Sequence, residues 1–287
     1  MEIGVGTGAS LEADPRALRT GVSQRAITEY ILELADRAGY AAALIDADPR
    51  APGNPETGGT VTTWQQFAHT VRAAAHGLAR HGLRDSDAVG VFVQDAASHT
   101  VAVHAVQAAG AMASSIQPTA APAEIAAQLK ACRARLLITS ATLAELAIQA
   151  AERSLVRQVV AFGEAPETIP FSSLLEAARH AQSHQNGSTY GGPGSVPAQL
   201  PGLAELGAAG PGPRLTRRDV VVAGPPCGDL GAYQALLDLA HMAGATIVAA
   251  PPAQIPAAVY AYKGTAAIVP RGTHVPAVPA DRVFAVG

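Results

Sequence analysis

Seven apolar runs punctuate this chain, and they limit the fold more than any other feature. They are Ala88–Val93, Arg135–Thr139, Val156–Phe162, Asp219–Ala223, Ala245–Ala250, Thr265–Val269 and Arg282–Val286. None shows the strict in–out alternation of a strand with one wet face. A strand that is apolar at successive positions needs cover on both sides. The segments between the runs carry apolar residues at helical spacing instead. Strands alternating with helices in this way predict an α/β fold of layered, mainly parallel sheets flanked by helices.

The helical segments have readable ends. Ser23–Ala38 places Ile27, Tyr30, Ile31 and Leu34 on one face, and Gly39 is positioned to stop it. Thr63 followed by Gln66 is a capping-box pattern, opening a helix with Phe67, Val71, Ala74 and Leu78 as its apolar stripe. Pro122 suits a first helical turn, with Ile125, Leu129 and Cys132 inward. Further helices are expected at Ser98 onward, Ala141–Ala151, Ser172–Gln182, Asp229–Ala243 and Ala257–Tyr262, with a short strand near Ala113–Gln117. The rhythm breaks between Gln182 and Arg214, where 13 of 33 residues are Gly or Pro, which reads as a linker. The expected organisation is a flexible start at 1–20, a first α/β subdomain at 21–182, a Gly/Pro-rich linker at 183–214 and a second subdomain at 215–287. That last unit ends on a strand with no closing helix, so it reads as cut off.

Composition narrows the function. The net charge is −3 and no polybasic run occurs, which disfavours nucleic-acid binding through counterion release. The only cysteines, Cys132 and Cys227, form no CxxC pair, so neither a disulfide scaffold nor a structural zinc site is expected. The acidic N-terminus has no apolar core of a signal peptide, and Ser98–Pro118, the longest uncharged helical stretch, suits a buried helix better than a membrane span. A cytoplasmic location follows as the expectation.

The 80-residue series from "TVTTWQQFAHTVRAAAHGLARHGL" through "PAEIAAQLKACRARLLIT" resembles the N-terminal part of AMP-forming acyl-CoA synthetases, closest to 4-coumarate–CoA ligase. "DLGAYQALLDLAHMAGATIVAAP" is similar to a later helix and strand of the same family. The resemblance implies carboxylate activation by ATP and Mg²⁺, then transfer to a thiol such as coenzyme A. It also implies a phosphate loop, which "LGAAGPGPRLTRRD" resembles: Gly207, Gly210 and Pro213 fit its frame, and Thr216 stands in "LTRRD". Ala208 and Ala209 stand where the family has hydroxyls, Arg214 where it has Lys, and Cys227 where it has His. The family's later motifs, including its catalytic Lys, do not occur in these residues. Because charge-stabilising donors act as a unit, several such departures together predict loss of autonomous adenylation. No catalytic residue is therefore assigned.

Other clusters carry two readings each. The amides of Gly207–Gly210 with Arg214, Arg217 and Arg218 could form an anion nest, against a solvated linker. His180 and His184 have a spacing that could hold a metal, against a frayed helix end; no metal site is assigned. His76, His81, His99 and His104 read as surface or hydrogen-bonded core residues. Cys227 near a helix start could be an activated thiol, against a small buried residue. "GVGTG" at Gly4–Gly8 lacks the strand–turn–helix context of a dinucleotide loop. Three functions stay open: a synthetase-like protein without ligase activity, a binding module, or a residual acid–thiol ligase. The module would dock to an intact synthetase or carrier protein, self-associate through its last strand, or hold an acyl or aryl acid.

Overall fold

A computed structural model describes residues 23–47, 59–176 and 214–286. Its elements run in the order α1 (Gln24–Ala38), β1 (Ala42–Asp46), β2 (Thr60–Thr63), α2 (Trp64–Arg80), β3 (Ala88–Phe92), α3 (Ala96–Ala108), β4 (Met112–Ser115), α4 (Pro122–Ala131), β5 (Leu136–Ser140) and α5 (Ala144–Glu152). There follow β6 (Gln158–Phe162), β7 (Ile169–Pro170), β8 (Val220–Ala223), α6 (Leu230–Met242), β9 (Thr246–Ala249), α7 (Ile255–Ala261), β10 (Ala266–Pro270) and β11 (Val283–Val286). The expected caps are present: the Ser23 hydroxyl accepts from Ala26 N, and Thr63 and Gln66 close a reciprocal box.

The strands form two sheets. One has the order β4-β3-β5-β6-β7 and is parallel throughout. The other has the order β11-β10-β8-β9-β1-β2 and is parallel except for β2. The sheets do not divide as the sequence does. Strands β1 and β2 come from the N-terminal stretch yet join the second sheet, with Leu44 opposite Ile247. Strand β2 was hidden because its four residues, Thr60–Thr63, end on the Thr63 cap itself and carry little apolar signal. The pair β6–β7 holds only two residues of β7, too short for any period.

Five layers result. Helices α4 and α5 cover one face of the first sheet through Phe92, Ile125, Leu129, Leu137 and Ala147. Its other face packs on α2 and α3 through Leu78, Val91, Val103 and Ile138. The inner face of the second sheet meets α1, α2 and α6 through Ile31, Phe67, Val221, Leu237 and Ile247. Helix α7 covers its outer face through Val222, Val248, Ile255 and Val259. The central runs are thus buried on both faces, with Ala88–Phe92 and Leu136–Ser140 buried at every position, whereas the edge strand β11 keeps Ala285 exposed.

One expected stripe is rotated. Helix α1 buries Ile27, Thr28, Ile31, Leu32 and Ala35, while Tyr30 lies partly in solvent. Thr28 is inside because its hydroxyl has partners there, described below.

Candidate functional site

Both sheets reverse their winding at one strand. In the first, β3 is followed by β4 on one side and, later, β5 on the other; in the second, β8 is followed by β9 on one side and β10 on the other. Ligands of open α/β sheets bind outside the carboxyl ends of strands at such a reversal. Here the two carboxyl ends come together.

The turn after β8 is tightly held. Gly224 N donates to the Ile268 carbonyl (2.9 Å), and the Tyr233 hydroxyl donates to the Gly224 carbonyl (2.7 Å). A side chain at Gly224 would stand 3.2 Å from Ile255 Cδ1 and 3.4 Å from Pro270 Cδ, so glycine permits this close approach. Asp229 then caps α6, accepting from Gly231 N and Ala232 N. From the first sheet, Gln117 Nε2 reaches across to the Gly228 carbonyl at 2.7 Å. His99 of α3 pairs its Nε2 with Ser115 Oγ (2.9 Å), and its ring lies edge-on to Tyr233 at 5.4 Å. Asp95 caps α3, accepting from Ser98 N at 2.6 Å. Asp95, His99, Ser115, Gln117, Gly224, Cys227 and Tyr233 therefore define the crossing.

Its electrostatics favour neutral groups. Burial drives His99 down to about 3, helped by His104. Burial raises Asp95, with Asp46 adding to the rise, and raises Tyr233 well above its usual value, with Cys227 and Asp95 contributing. Cys227 is also raised by burial. This favours the reading of a small buried residue over that of an activated thiol. The first turn of α6 is already capped by Asp229, and the Cys227 thiol contacts the Val286 carbonyl at 3.8 Å instead. No hydrogen bond joins it to a histidine, so it has no base.

The phosphate-loop candidates fall elsewhere. Gly207, Ala208, Ala209, Gly210 and Pro213 lie outside the described residues, as do His180, His184 and Gly4–Gly8. Arg214 and Thr216 are described, at the amino end of β8, opposite the crossing. The four residues of β8 alone span about 13 Å at ~3.3 Å per residue. Thr216 belongs to a clamp around Asp219. Asp219 accepts from Thr216 N (2.7 Å), Thr216 Oγ1 (2.9 Å), Thr265 Oγ1 (2.7 Å) and Arg282 Nη1 (2.8 Å). Arg282 Nη2 also donates to the Arg214 carbonyl at 2.9 Å. The clamp ties together the amino ends of β8, β10 and β11. Thr216 thus uses its amide and hydroxyl, and Arg214 its backbone carbonyl, in the clamp at the end of β8 away from the crossing.

Among the described residues no group of three or more His, Cys, Asp or Glu is placed to hold a metal ion, and no helix is long and apolar enough to cross a membrane. His99 and His104 are buried but not fully hydrogen-bonded, contrary to expectation: His99 Nδ1 and His104 Nε2 have no hydrogen-bond partner. Apart from Cys227 and His99, the crossing residues were missed in the sequence because none forms a motif. Their one signal was position: Gln94–Asp95, Ile116–Gln117 and Gly224–Cys227 follow apolar runs.

This architecture is that of the large domain of adenylate-forming enzymes. Residues 34–201, more than half of the chain, match the family model described as AMP-binding enzyme, and the chain belongs to that family. It is 35% identical over 96 residues to "4-coumarate--CoA ligase-like 3" of Oryza sativa subsp. japonica, covering 33% of this chain and 16% of that protein. A long-chain-fatty-acid-CoA ligase from Archaeoglobus fulgidus matches the fold with a TM-score of 0.66 at 18% identity, over 85% of this chain and 51% of the other. A benzoate CoA ligase from Burkholderia xenovorans LB400 gives a TM-score of 0.64 at 18% identity, over 85% of this chain and 50% of the other. The chain spans about half the length of these solved relatives and far less of the plant protein.

Proposed function

We propose that these 287 residues, on their own, do not activate a carboxylate with ATP, and that the crossing serves binding rather than catalysis. One observation carries this reading. The groups that converge at the crossing are held in uncharged or hydrogen-bonded states, while the Thr216 hydroxyl is committed to a clamp at the far end of β8. Adenylation builds negative charge on phosphates and needs fixed donors and a cation aimed at it. The replacement of hydroxyls by Ala208 and Ala209, implied by the family resemblance, points the same way. A neutral crossing of Tyr, His, Cys and Gln suits the apolar body of an acyl or aryl acid.

A second reading has its own support. Strand β11 pairs with β10 alone among the described residues, so it forms an edge of the second sheet. An edge strand offers unpaired backbone groups to another chain. A binding module that docks an intact synthetase, a carrier protein or a second copy through β11 fits this observation.

The test is carboxylate-dependent exchange between ATP and pyrophosphate, with Mg²⁺ and a panel of fatty and aryl acids. The expected result is no exchange above a protein-free control. Exchange that depends on both the acid and the protein would overturn the proposal and restore the acid–thiol ligase reading.

A further inference from the structure

Helices α1, α2, α3 and α6 meet between the sheets and enclose a polar group sealed from solvent. Thr28, His104 and His241 are fully buried, and Asp238 is 2% exposed. Aromatic rings of α2 close the group: Phe67 lies 5.8 Å from His104 and 5.0 Å from His241, and Trp64 lies 5.0 Å from His241.

The hydrogens in this group can be counted. The Thr28 hydroxyl has one, and it donates to Gln107 Oε1 at 2.5 Å. Its 2.8 Å contact with His104 Nδ1 therefore requires the hydrogen on Nδ1. A neutral His104 then has a bare lone pair on Nε2, which faces Asp238 Oδ1 across 3.6 Å. That oxygen already accepts from Gln234 Nε2 at 2.6 Å, and Asp238 Oδ2 has no partner. With no proton between them, a buried carboxylate would oppose a buried lone pair. With two protons, the group would hold an unpaired buried cation. Both are costly away from water.

The surroundings offer no other charge to settle this. Helix α1 contributes Thr28, while its Arg25 and Glu29 pair with each other on the solvent side. Helix α2 contributes the aromatic rings. Helix α3 contributes His104 and Gln107, with His99 farther along it. Helix α6 contributes Gln234, Asp238 and His241, and the last faces the backbone of Ala43.

We infer that Asp238 and His104 share a single buried proton, taken up as α3 packs against α6, so that this contact between the layers is a pH-sensitive switch that weakens when the proton leaves. Burial pushes Asp238 up to about 7 and His104 down to about 4, so between those values the proton resides on the carboxyl. Burial also holds His241 well below its usual value, with His104 adding to the effect, which keeps it neutral beside the pair.

The sign is fixed by linkage. A carboxyl whose folded value is raised stabilises fully below its unfolded value and loses that contribution as pH rises through the folded value. Urea unfolding of the parent and of Asp238→Asn, from about pH 4 to about pH 9, isolates the group. The ratio of the variant's folding constant to the parent's should rise about tenfold per pH unit from about pH 4 to about pH 7 and then level off. A ratio that stays flat would overturn the inference. The parent alone gives a second reading by nuclear magnetic resonance. The Asp238 carboxyl carbon should titrate near neutrality, with His104 in its Nδ1–H form below that point. Titration of Asp238 in the ordinary carboxylate range, or an Nε2–H neutral His104, would refute the shared proton even if the variant fails to fold.

Discussion

Replacing Asp219 by Asn asks whether the segment leading into β8 is a structural clamp or a ligand loop. Asp219 accepts four hydrogen bonds, and its side chain is only 8% exposed. Burial alone would raise its pKa, but the bonds from Thr265, Arg282 and Thr216 outweigh burial and bring it down to about 2. A fall from 3.8 to about 2, at roughly 1.4 kcal/mol per pH unit, corresponds to about 2 kcal/mol of stability at neutral pH. That contribution is present above the unfolded value and is lost as pH falls from about 4 toward 2. Asn keeps the shape and one acceptor but removes the charge facing Arg282, so the variant should lose about 2–3 kcal/mol. Asp219→Ala leaves Arg282 and Thr265 without their partner and should lose about 3–5 kcal/mol. Urea unfolding at neutral pH measures both, and calorimetry with Mg²⁺–ATP on the same samples measures any nucleotide binding. A loss below about 0.5 kcal/mol, within the range of ordinary surface substitutions, would refute the clamp. A change in nucleotide affinity without a change in stability would place a ligand loop here instead.

Three further outcomes follow from particular contacts. Gly77→Ala would put a Cβ 2.5 Å from the Leu174 carbonyl oxygen and 2.7 Å from its Cα, so the helical residues 171–176 must move; a loss of about 1–3 kcal/mol in urea unfolding is expected, and a neutral result would contradict this packing. His99, His104 and His241 are buried in their neutral forms, so the stability that comes from their depressed values is present above the unfolded value of 6.5 and is lost as pH falls below it; three histidines less the one proton held by Asp238 predict net uptake of about two protons on unfolding between pH 4 and 6.5, read from the slope of stability against pH. In a Cys132→Ala background, Cys227 should react with iodoacetamide more slowly at neutral pH than a free thiol does, because burial disfavours its thiolate; faster reaction would restore the activated-thiol reading.

Much of the fold was legible because its signals are local and strong. Val89–Phe92 and Leu136–Ser140 are apolar at successive positions, and the only cover for both faces is a helix on each side. Thr63 with Gln66, and Pro122, mark helix starts through their own backbone chemistry. What escaped was decided at long range. Strand β2 exists because β1 offers its edge: Thr60–Thr63 are β-branched throughout, but four residues are too few to declare a strand alone. Thr28 is inside because His104 and Gln107, more than 70 positions away, provide its hydrogen-bond partners. The site was legible only in part. Cys227 was found through the family's His position, and it does sit at the crossing. Asp95 and His99 of α3, Ser115 of β4 and Tyr233 of α6 reach that crossing from three elements, and no spacing in the sequence connects the three. Asp219 and Arg282 merely open two of the apolar runs in the sequence, and their pairing follows from β8 and β11 flanking β10.

The most direct test of the central claim is a single turnover. The protein, in stoichiometric excess over α-labelled ATP, is incubated with Mg²⁺ and a mixture of fatty and aryl acids, and the products are separated for acyl-adenylate and AMP. The account predicts that the label stays in ATP. Acid-dependent appearance of acyl-adenylate would contradict it, and would mean that these residues do supply the phosphate-binding donors that adenylation requires.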